Sequence, residues 1–141
     1  MRLFRVLLLM LAACFVTQAS FAAETVWIEG ENADRKNVTR HSWYGNVNEE
    51  VLSGGKAITH WNGDNPGAAG YVVNIPETAE YNFWPRANPT GAKMSYSLDG
   101  GDWEEVPFGS AFDRRNFAGD KKNDIRHIAW VKLGKMELDE G

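Results

Sequence analysis

The sequence predicts an all-β domain, and three observations support that prediction. Turn-forming groups of Gly, Asn, Asp and Pro recur along the chain, as at Asn62-Gly63-Asp64 and Asp99-Gly100-Gly101. The segments between these turns are short, and they alternate in polarity or are rich in β-branched and aromatic residues. No segment of the expected domain carries a sustained helical period with capping residues. Many short strands at regular spacing are typical of a β-sandwich or barrel.

The strands are placed between the turns, in chain order. They are expected near residues 25–31, 56–61, 69–75, 80–87, 93–99, 103–107, 125–133 and 135–138. Residues 108–124 have weak periodicity, which predicts a long loop. Pro85 has no N–H to donate, so its strand should be an edge strand or be bulged at that residue.

Alternation along the middle strands assigns their side chains to two faces. The core side should hold Tyr71, Val73, Ile75, Tyr81, Phe83, Met94, Tyr96 and Leu98. The opposite side of strand 80–87 should hold Asn82, Trp84, Arg86 and Asn88.

Residues 1–22 predict a secretory signal peptide. Two arginines open the chain, and residues 6–16 form an apolar run that is too short to anchor it across a bilayer. Small residues then provide a cleavage site after Ala22, which leaves residues 23–141 as the mature domain. We therefore expect a protein that is secreted or lies in the periplasm or at the cell surface, without a membrane span.

A second interpretation of this leader is lipoprotein processing. Leu11-Ala12-Ala13-Cys14 resembles a bacterial lipoprotein box, in which Cys14 would become a lipid anchor. Either form of processing takes the protein out of the cytoplasm.

Composition and charge narrow the function classes. The chain has 141 residues, of which 43% are hydrophobic and 24% charged, so it has the length of one ordinary domain and is not a disordered chain. Its formal charge of −4 argues against nucleic acid as a partner. The three histidines match no metal-ligand spacing, and no nucleophile elbow, phosphate loop or dinucleotide fingerprint occurs. The sequence therefore predicts a non-catalytic protein.

Glu29 and Glu31 are the candidate metal ligands. Two residues apart on a strand, their carboxylates would share one face. Such a pair needs a counter-ion, and hard oxygen ligands suit Ca²⁺. The alternative is a solvated acidic edge balanced by Arg35 and Lys36.

Trp84 and Arg86 are the strongest candidates for ligand binding. A sugar ring has an apolar C–H face and a rim of hydroxyls, so its binder needs an aromatic surface with polar donors around it. Arg86 could also pair with a uronate or a sulfate. The alternative is that Trp84 packs under the long loop and Arg86 makes an internal ion pair.

Further aromatic residues lie at loops or strand ends. Trp43 and Tyr44 are in a polar loop, and Trp61 comes before a turn. Loops on rigid scaffolds often bind ligands, although these three could instead plug the end of the sandwich. The other tryptophans are expected to be mainly structural: Trp27, Trp103 and Trp130.

Several of these segments, in this order, resemble carbohydrate-binding modules of families six and thirty-five. They are Glu29-Gly30-Glu31, Ser53-Gly54-Gly55, the strand from Tyr71 to Pro76, and Tyr81-Asn82-Phe83-Trp84-Pro85-Arg86-Ala87. The similarity extends from about Val26 to Gly141. It implies a galactose-binding-like, jelly-roll β-sandwich.

The resemblance also implies roles for single residues. Glu29 and Glu31 match the acidic pair that holds a structural calcium, and Trp43 and Tyr44 fall where a ligand-stacking aromatic is often found. Arg86 matches a basic position that is frequently structural. The family's final strand, with an Asp that completes the calcium site, has no counterpart before the end of the chain, so we expect the sandwich to lack one or two strands.

We therefore predict a secreted carbohydrate-binding domain that holds a polysaccharide or oligosaccharide by aromatic stacking and polar contacts. Two alternatives remain open at this point. The chain could be the N-terminal part of a secreted glycoside hydrolase or polysaccharide lyase, or a surface β-sandwich that binds protein.

Overall fold

The computed structural model describes residues 24–141. The predicted signal peptide, residues 1–22, and the candidate lipid anchor Cys14 lie outside the described residues. Both remain predictions.

The described residues confirm an all-β domain, with short strands, one-turn 3-10 helices and no α-helix. The strands are β1 (Arg35–Asn37), β2 (Ala68–Gly70), β3 (Ala79–Phe83), β4 (Arg86–Ala87), β5 (Ser95–Tyr96), β6 (Glu104–Glu105), β7 (Phe112–Asn116), β8 (His127–Trp130) and β9 (Gly134–Leu138). The 3-10 helices are Gly30–Asn32, Ser42–Gly45, Glu49–Val51, Ser53–Gly55 and Phe108–Ser110. None of the described helices is long and apolar enough to cross a membrane.

All strand pairs in this part of the chain are antiparallel. β3 pairs with β9, and β4, β8 and β7 form a three-stranded sheet in that order. Two smaller pairs, β1 with β2 and β5 with β6, lie outside these ladders. Antiparallel pairing lets one face of each small sheet be packed while the other faces solvent.

A break at Pro85 separates β3 from β4. The ladder continues across it, because Leu133 N–H donates to the Phe83 carbonyl and Val131 N–H donates to the Pro85 carbonyl, each at 3.0 Å. Residues 84–85 thus lie opposite residues 131–133, so one strand carries an extra residue. This confirms the predicted irregularity at Pro85, which can accept a ladder hydrogen bond but cannot donate one.

The buried core is small and is centred on β8. Ala129 and Val131 are fully buried, and the other buried apolar side chains are Leu52, Val106, Phe117 and Ala118. Along β8 the burial alternates, with His127 and Ala129 buried and Ile128 and Trp130 less so. The alternation predicted for β3 is also present, since Tyr81 and Phe83 are half-buried between exposed neighbours.

Several segments differ from the sequence prediction: β1 (Arg35–Asn37) was not predicted, and the predicted strand 69–75 is reduced to β2 (Ala68–Gly70). Residues 25–31 and 56–61 form no strand; in the first, the chain turns into a 3-10 helix at Gly30–Asn32. Side chains satisfy backbone groups there, as the Tyr71 hydroxyl donates to the Gly30 carbonyl at 2.7 Å. Residues 108–124 contain β7 instead of only a loop. β7 is mostly polar, and its strand conformation comes from pairing with β8.

Tyr71, Met94 and Leu98, which alternation assigns to the core, are instead exposed by 36%, 38% and 42%. Each lies beside a short strand, β2 or β5, that has a single ladder partner among the described strands. A period of two identifies the side chains that share a face, but it does not tell which face is covered.

Candidate functional site

The sheet formed by β4, β8 and β7 positions the candidate site. Trp130 at the end of β8 is paired with Arg86 of β4 on one side and with Phe112 of β7 on the other. Side chains at directly paired positions of an antiparallel sheet lie on the same face. One face of this sheet therefore carries a cation and two aromatic rings in a line across three strands.

Two more tryptophans extend this line, and we call the four rings Trp84, Phe112, Trp130 and Trp27 the aromatic row. Trp84 meets Phe112 edge to face, with ring centroids 5.6 Å apart and an angle of 82°. Trp130 meets Trp27 in the same manner, at 6.0 Å and 68°. Such edge-to-face contacts favour a fixed orientation of each ring.

Much of the aromatic row is accessible to solvent. Trp27 is 57% exposed, Phe112 48% and Trp84 39%, while Trp130 lies half-buried between them. Trp27 is thus largely at the surface, whereas the sequence predicted a mainly structural role for it. Large contiguous apolar surfaces are uncommon on soluble domains and frequently mark binding sites.

Two basic side chains border the aromatic row. The Lys132 ammonium lies 5.3 Å from the centroid of the Trp84 ring, and the Arg86 guanidinium carbon lies 5.6 Å from that of Trp130. Arg86 also donates from Nη1 to the Val51 carbonyl at 2.9 Å. The row therefore combines apolar ring surface with cationic hydrogen-bond donors.

Arg86 lines an open cavity of about 410 Å³ next to the row. The other residues that line it are Glu50, Val51, Leu52, Ser53, Asp113 and Arg115. Arg115 donates from Nε to Asp113 at 2.8 Å, so its charge is neutralised within the protein. None of the ion pairs of the described residues involves Arg86, which excludes the internal ion pair considered above.

The loop candidates lie elsewhere. Tyr44 is half-buried and stacks on Phe117, with centroids 6.2 Å apart and rings 25° from parallel. Burial raises the pKa of Tyr44, against the opposing effect of a hydrogen bond with Asn88. This packing favours the structural alternative for Tyr44. Trp43 precedes it in the 3-10 helix Ser42–Gly45, and its side chain is outside the described part of the structure.

Trp61 is 53% exposed and forms a second aromatic surface with His41, whose ring centroid is 5.6 Å away. The preceding residue, His60, fixes this region. Its Nδ1 accepts from the Thr39 N–H at 3.1 Å, and its Nε2 then donates to the Asn65 carbonyl at 2.9 Å. No ring contact in the described part of the chain joins Trp61 to the aromatic row.

Glu29 and Glu31 both approach Gly54, although they lie at the start of a 3-10 helix and not on the strand that predicted their shared face. A Cβ on Gly54 would lie 3.2 Å from Glu31 Oε1 and 3.9 Å from Glu29 Cδ, and this glycine has a φ of +60°. Glu29 accepts hydrogen bonds from Trp27 Nε1 and Ser53 Oγ, both at 2.8 Å. The described residues contain no group of three or more His, Cys, Asp or Glu side chains that could hold a metal ion.

The sequence did not indicate most of the aromatic row. Phe112 falls in the segment predicted to be a loop, and Trp27 and Trp130 were expected to be structural. The available signal was the spacing of Trp130 and Lys132 by two residues in a predicted strand. Asn88, by contrast, was predicted on the binding face, but its Nδ2 donates to the Ile125 carbonyl at 2.7 Å and fixes a loop.

The fold and this surface define an all-β domain with an exposed aromatic and basic face. No protein-family model, curated protein or solved structure matches the chain.

Proposed function

We propose that the protein is a secreted, non-catalytic carbohydrate-binding domain, formed by residues 23–141 and built as a galactose-binding-like jelly-roll sandwich. The observation that carries the proposal is the aromatic row with Arg86 and Lys132 at its border. The ligand is a polysaccharide or oligosaccharide.

Physical complementarity supports a sugar as the ligand. The C–H face of a pyranose is apolar and slightly positive, so it stacks on the electron-rich face of an indole ring. Its hydroxyl rim requires donors and acceptors at the edge of the ring. Trp84 offers exposed ring surface, and the neighbouring Arg86 and Lys132 offer donors. Trp61 beside His41 provides a second, separate stacking surface in this proposal, and the Trp43–Tyr44 loop borders it in sequence.

A structural Ca²⁺ between Glu29 and Glu31 is part of the proposal. The donor chemistry suits a hard cation, because two carboxylates approach the same glycine, which has no side chain of its own there. The ion would neutralise both carboxylates and hold the 29–31 segment to the Ser53–Gly55 turn. Backbone carbonyls and water would have to complete its coordination.

A second candidate function rests on exposed apolar side chains outside the aromatic row. Val72 is 85% exposed and Trp103 71%, and Trp103 takes part in no ring contact of the described residues. Large exposed apolar side chains, aromatic ones above all, are enriched at protein contacts. The domain would then pack against a partner protein or against a catalytic domain of a longer glycoside hydrolase or polysaccharide lyase.

Affinity electrophoresis against a panel of polysaccharides tests the proposal. We expect at least one glycan to retard the folded protein, Trp84→Ala to weaken the retardation strongly, and Trp103→Ala, a control at a more exposed tryptophan outside the row, to leave it unchanged. A folded protein that no glycan retards would contradict carbohydrate binding. If Trp103→Ala weakened binding to a protein partner and Trp84→Ala did not, the result would favour the second function.

A further inference from the structure

The cavity beside the aromatic row contains Arg86, a cation that forms no ion pair among the described residues although Glu50 also lines the cavity and Asp113 is paired with Arg115 there. Arg86 is half-buried, stacks over Trp130 and gives one N–H to the Val51 carbonyl, yet it forms no ion pair with any described residue. Its Nε is buried without a hydrogen-bond partner in the described part of the chain. A guanidinium withdrawn from water without an anion is costly.

A contrast with two other arginines of the described residues, one deeply buried and one in the same cavity, sets Arg86 apart. Arg126, which is 1% exposed, pairs with Asp120 and Asp124 at 2.7 and 2.6 Å. Arg115, on the rim of the same cavity as Arg86, pairs with Asp113. The protein therefore supplies carboxylates to its buried and rim guanidinium groups but leaves Arg86 without one.

We propose that the Arg86 cavity binds the anionic group of an acidic glycan, either the carboxylate of a uronic acid or a sulfate ester. The planar guanidinium is suited to two parallel hydrogen bonds with such an oxyanion. The aromatic row lies next to the cavity, so a sugar stacked on the row brings its charged substituent to Arg86. Lys132 adds a second positive charge next to the Trp84 ring.

This inference rests on the proposed carbohydrate binding and names its substrate class. Recognition at Arg86 makes the domain selective among acidic glycans, because the chain as a whole has a charge of −4 and repels polyanions except at a local cation. An acidic glycan would therefore bind in one register, with its charged group at Arg86.

The test compares each acidic polymer with its own neutralised form. Polygalacturonate, alginate and chondroitin sulfate are run in affinity electrophoresis beside their carboxyl-reduced forms, and chondroitin sulfate also beside its desulfated form. We expect an acidic polymer to bind about tenfold to a hundredfold more tightly than its neutralised form, as is typical when a charge-assisted hydrogen bond is lost. The carboxyl-reduced and desulfated forms of chondroitin sulfate identify which anion is recognised.

Two variants at residue 86 complete the test. Arg86→Gln should remove the preference for the acidic form, and Arg86→Lys should keep part of it, because the charge remains without the planar fork. Thermal unfolding of each variant confirms that the protein folds. Equal binding of the acidic and neutralised polymers, with Trp84→Ala still weakening both, would overturn this inference and leave carbohydrate binding intact. Failure of every polymer to bind would contradict the proposed function itself.

Discussion

Arg126 holds Asp124 in a bidentate ion pair, with Nη2 2.6 Å from Oδ2 and Nε 3.1 Å from each carboxylate oxygen. The backbone N–H of Arg126 donates to the same carboxylate at 2.8 Å. The guanidinium is 1% exposed and also donates to the Asn46 carbonyl at 3.1 Å. The pair thus joins two segments that are far apart in sequence.

This ion pair fastens the loop that carries Trp43 and Tyr44. Two backbone hydrogen bonds also hold this loop. The Asn48 N–H donates to the Phe117 carbonyl at 2.8 Å, and the Gly119 N–H donates to the Asn46 carbonyl at 3.1 Å. The position of this loop, which carries the predicted ligand contacts Trp43 and Tyr44, therefore depends on the buried charge of Arg126.

Asp124→Asn should destabilise the fold strongly. The substitution leaves the Arg126 guanidinium buried with one carboxylate, Asp120, in place of two. Thermal unfolding measures the loss, and Asp139→Asn, at an exposed carboxylate, is the matched control. Equal melting temperatures for the two variants would contradict the assigned role of the pair.

Acid should weaken the fold through the same cluster. A side-chain hydrogen bond from Arg126 lowers the pKa of Asp124. Desolvation of Asp120 acts in the opposite direction, but the Lys122 N–H and the Arg126 charge prevail and lower its pKa as well. Carboxyls with a lower pKa in the folded state contribute stability above their unfolded pKa, about 3.9, and this stability disappears as the pH falls through the folded values.

The corresponding experiment is a series of melting curves between neutral pH and about pH 2. We expect the melting temperature to fall below about pH 4, and the fall to be smaller in the Asp120→Asn/Asp124→Asn double variant. An acid transition of the same size in the double variant would assign the pH dependence to other groups.

Gly119→Ala should disturb the contact between this loop and the turn that follows β7. A Cβ at residue 119 would overlap Asn46 Oδ1 and lie 3.2 Å from the Asn46 backbone carbonyl carbon, so the Asn46 side chain must rotate and its backbone must shift. Overpacking of this kind typically costs about 1–3 kcal/mol of unfolding free energy. Gly109→Ala is the control, because nothing lies within 4 Å of a Cβ there. Denaturant unfolding that ranks the two variants alike would show that the loop adapts without loss.

Calcium should raise the melting temperature if Glu29 and Glu31 share an ion. A ligand that binds only the folded state stabilises it by mass action, by about 2.7 kcal/mol at a hundredfold excess over its Kd. The measurement is thermal unfolding with EDTA and with added Ca²⁺, for the parent protein and for Glu31→Gln. Glu31 is the better position for the substitution, because Glu29 also holds Trp27 and Ser53. No response of the parent protein to either addition would remove calcium from the proposal.

The sequence predicted well the features that depend on local chemistry. The all-β class, the alternation in β3 and the irregularity at Pro85 follow from residue period and from the missing N–H of proline. β7 could not be predicted, because its residues are mostly polar and its conformation depends on pairing with β8. Trp84 and Arg86 were identified individually from their spacing.

The row that connects them could not be predicted from spacing. It depends on strand register, which brings Phe112, Trp130 and Arg86 to the same level of one sheet although they are distant in sequence. Register is set by the whole ladder, including the extra residue opposite the Pro85 break. Short segments of sequence do not contain that information.

Phe112→Leu should weaken glycan binding, although it leaves in place Trp84, the ring that we assign to direct stacking on the sugar. Phe112 sets the orientation of Trp84 through an edge-to-face contact at 5.6 Å, and leucine keeps the apolar volume but not the ring. Such contacts are worth about 0.5–1.5 kcal/mol, so we expect binding to fall about twofold to tenfold. A double-mutant cycle with Trp84→Ala, measured by isothermal titration calorimetry, separates an effect through Trp84 from a direct contact. If Phe112 acts through Trp84, Phe112→Leu should have no effect in the Trp84→Ala background. An unchanged effect there would show that Phe112 contacts the glycan independently of Trp84.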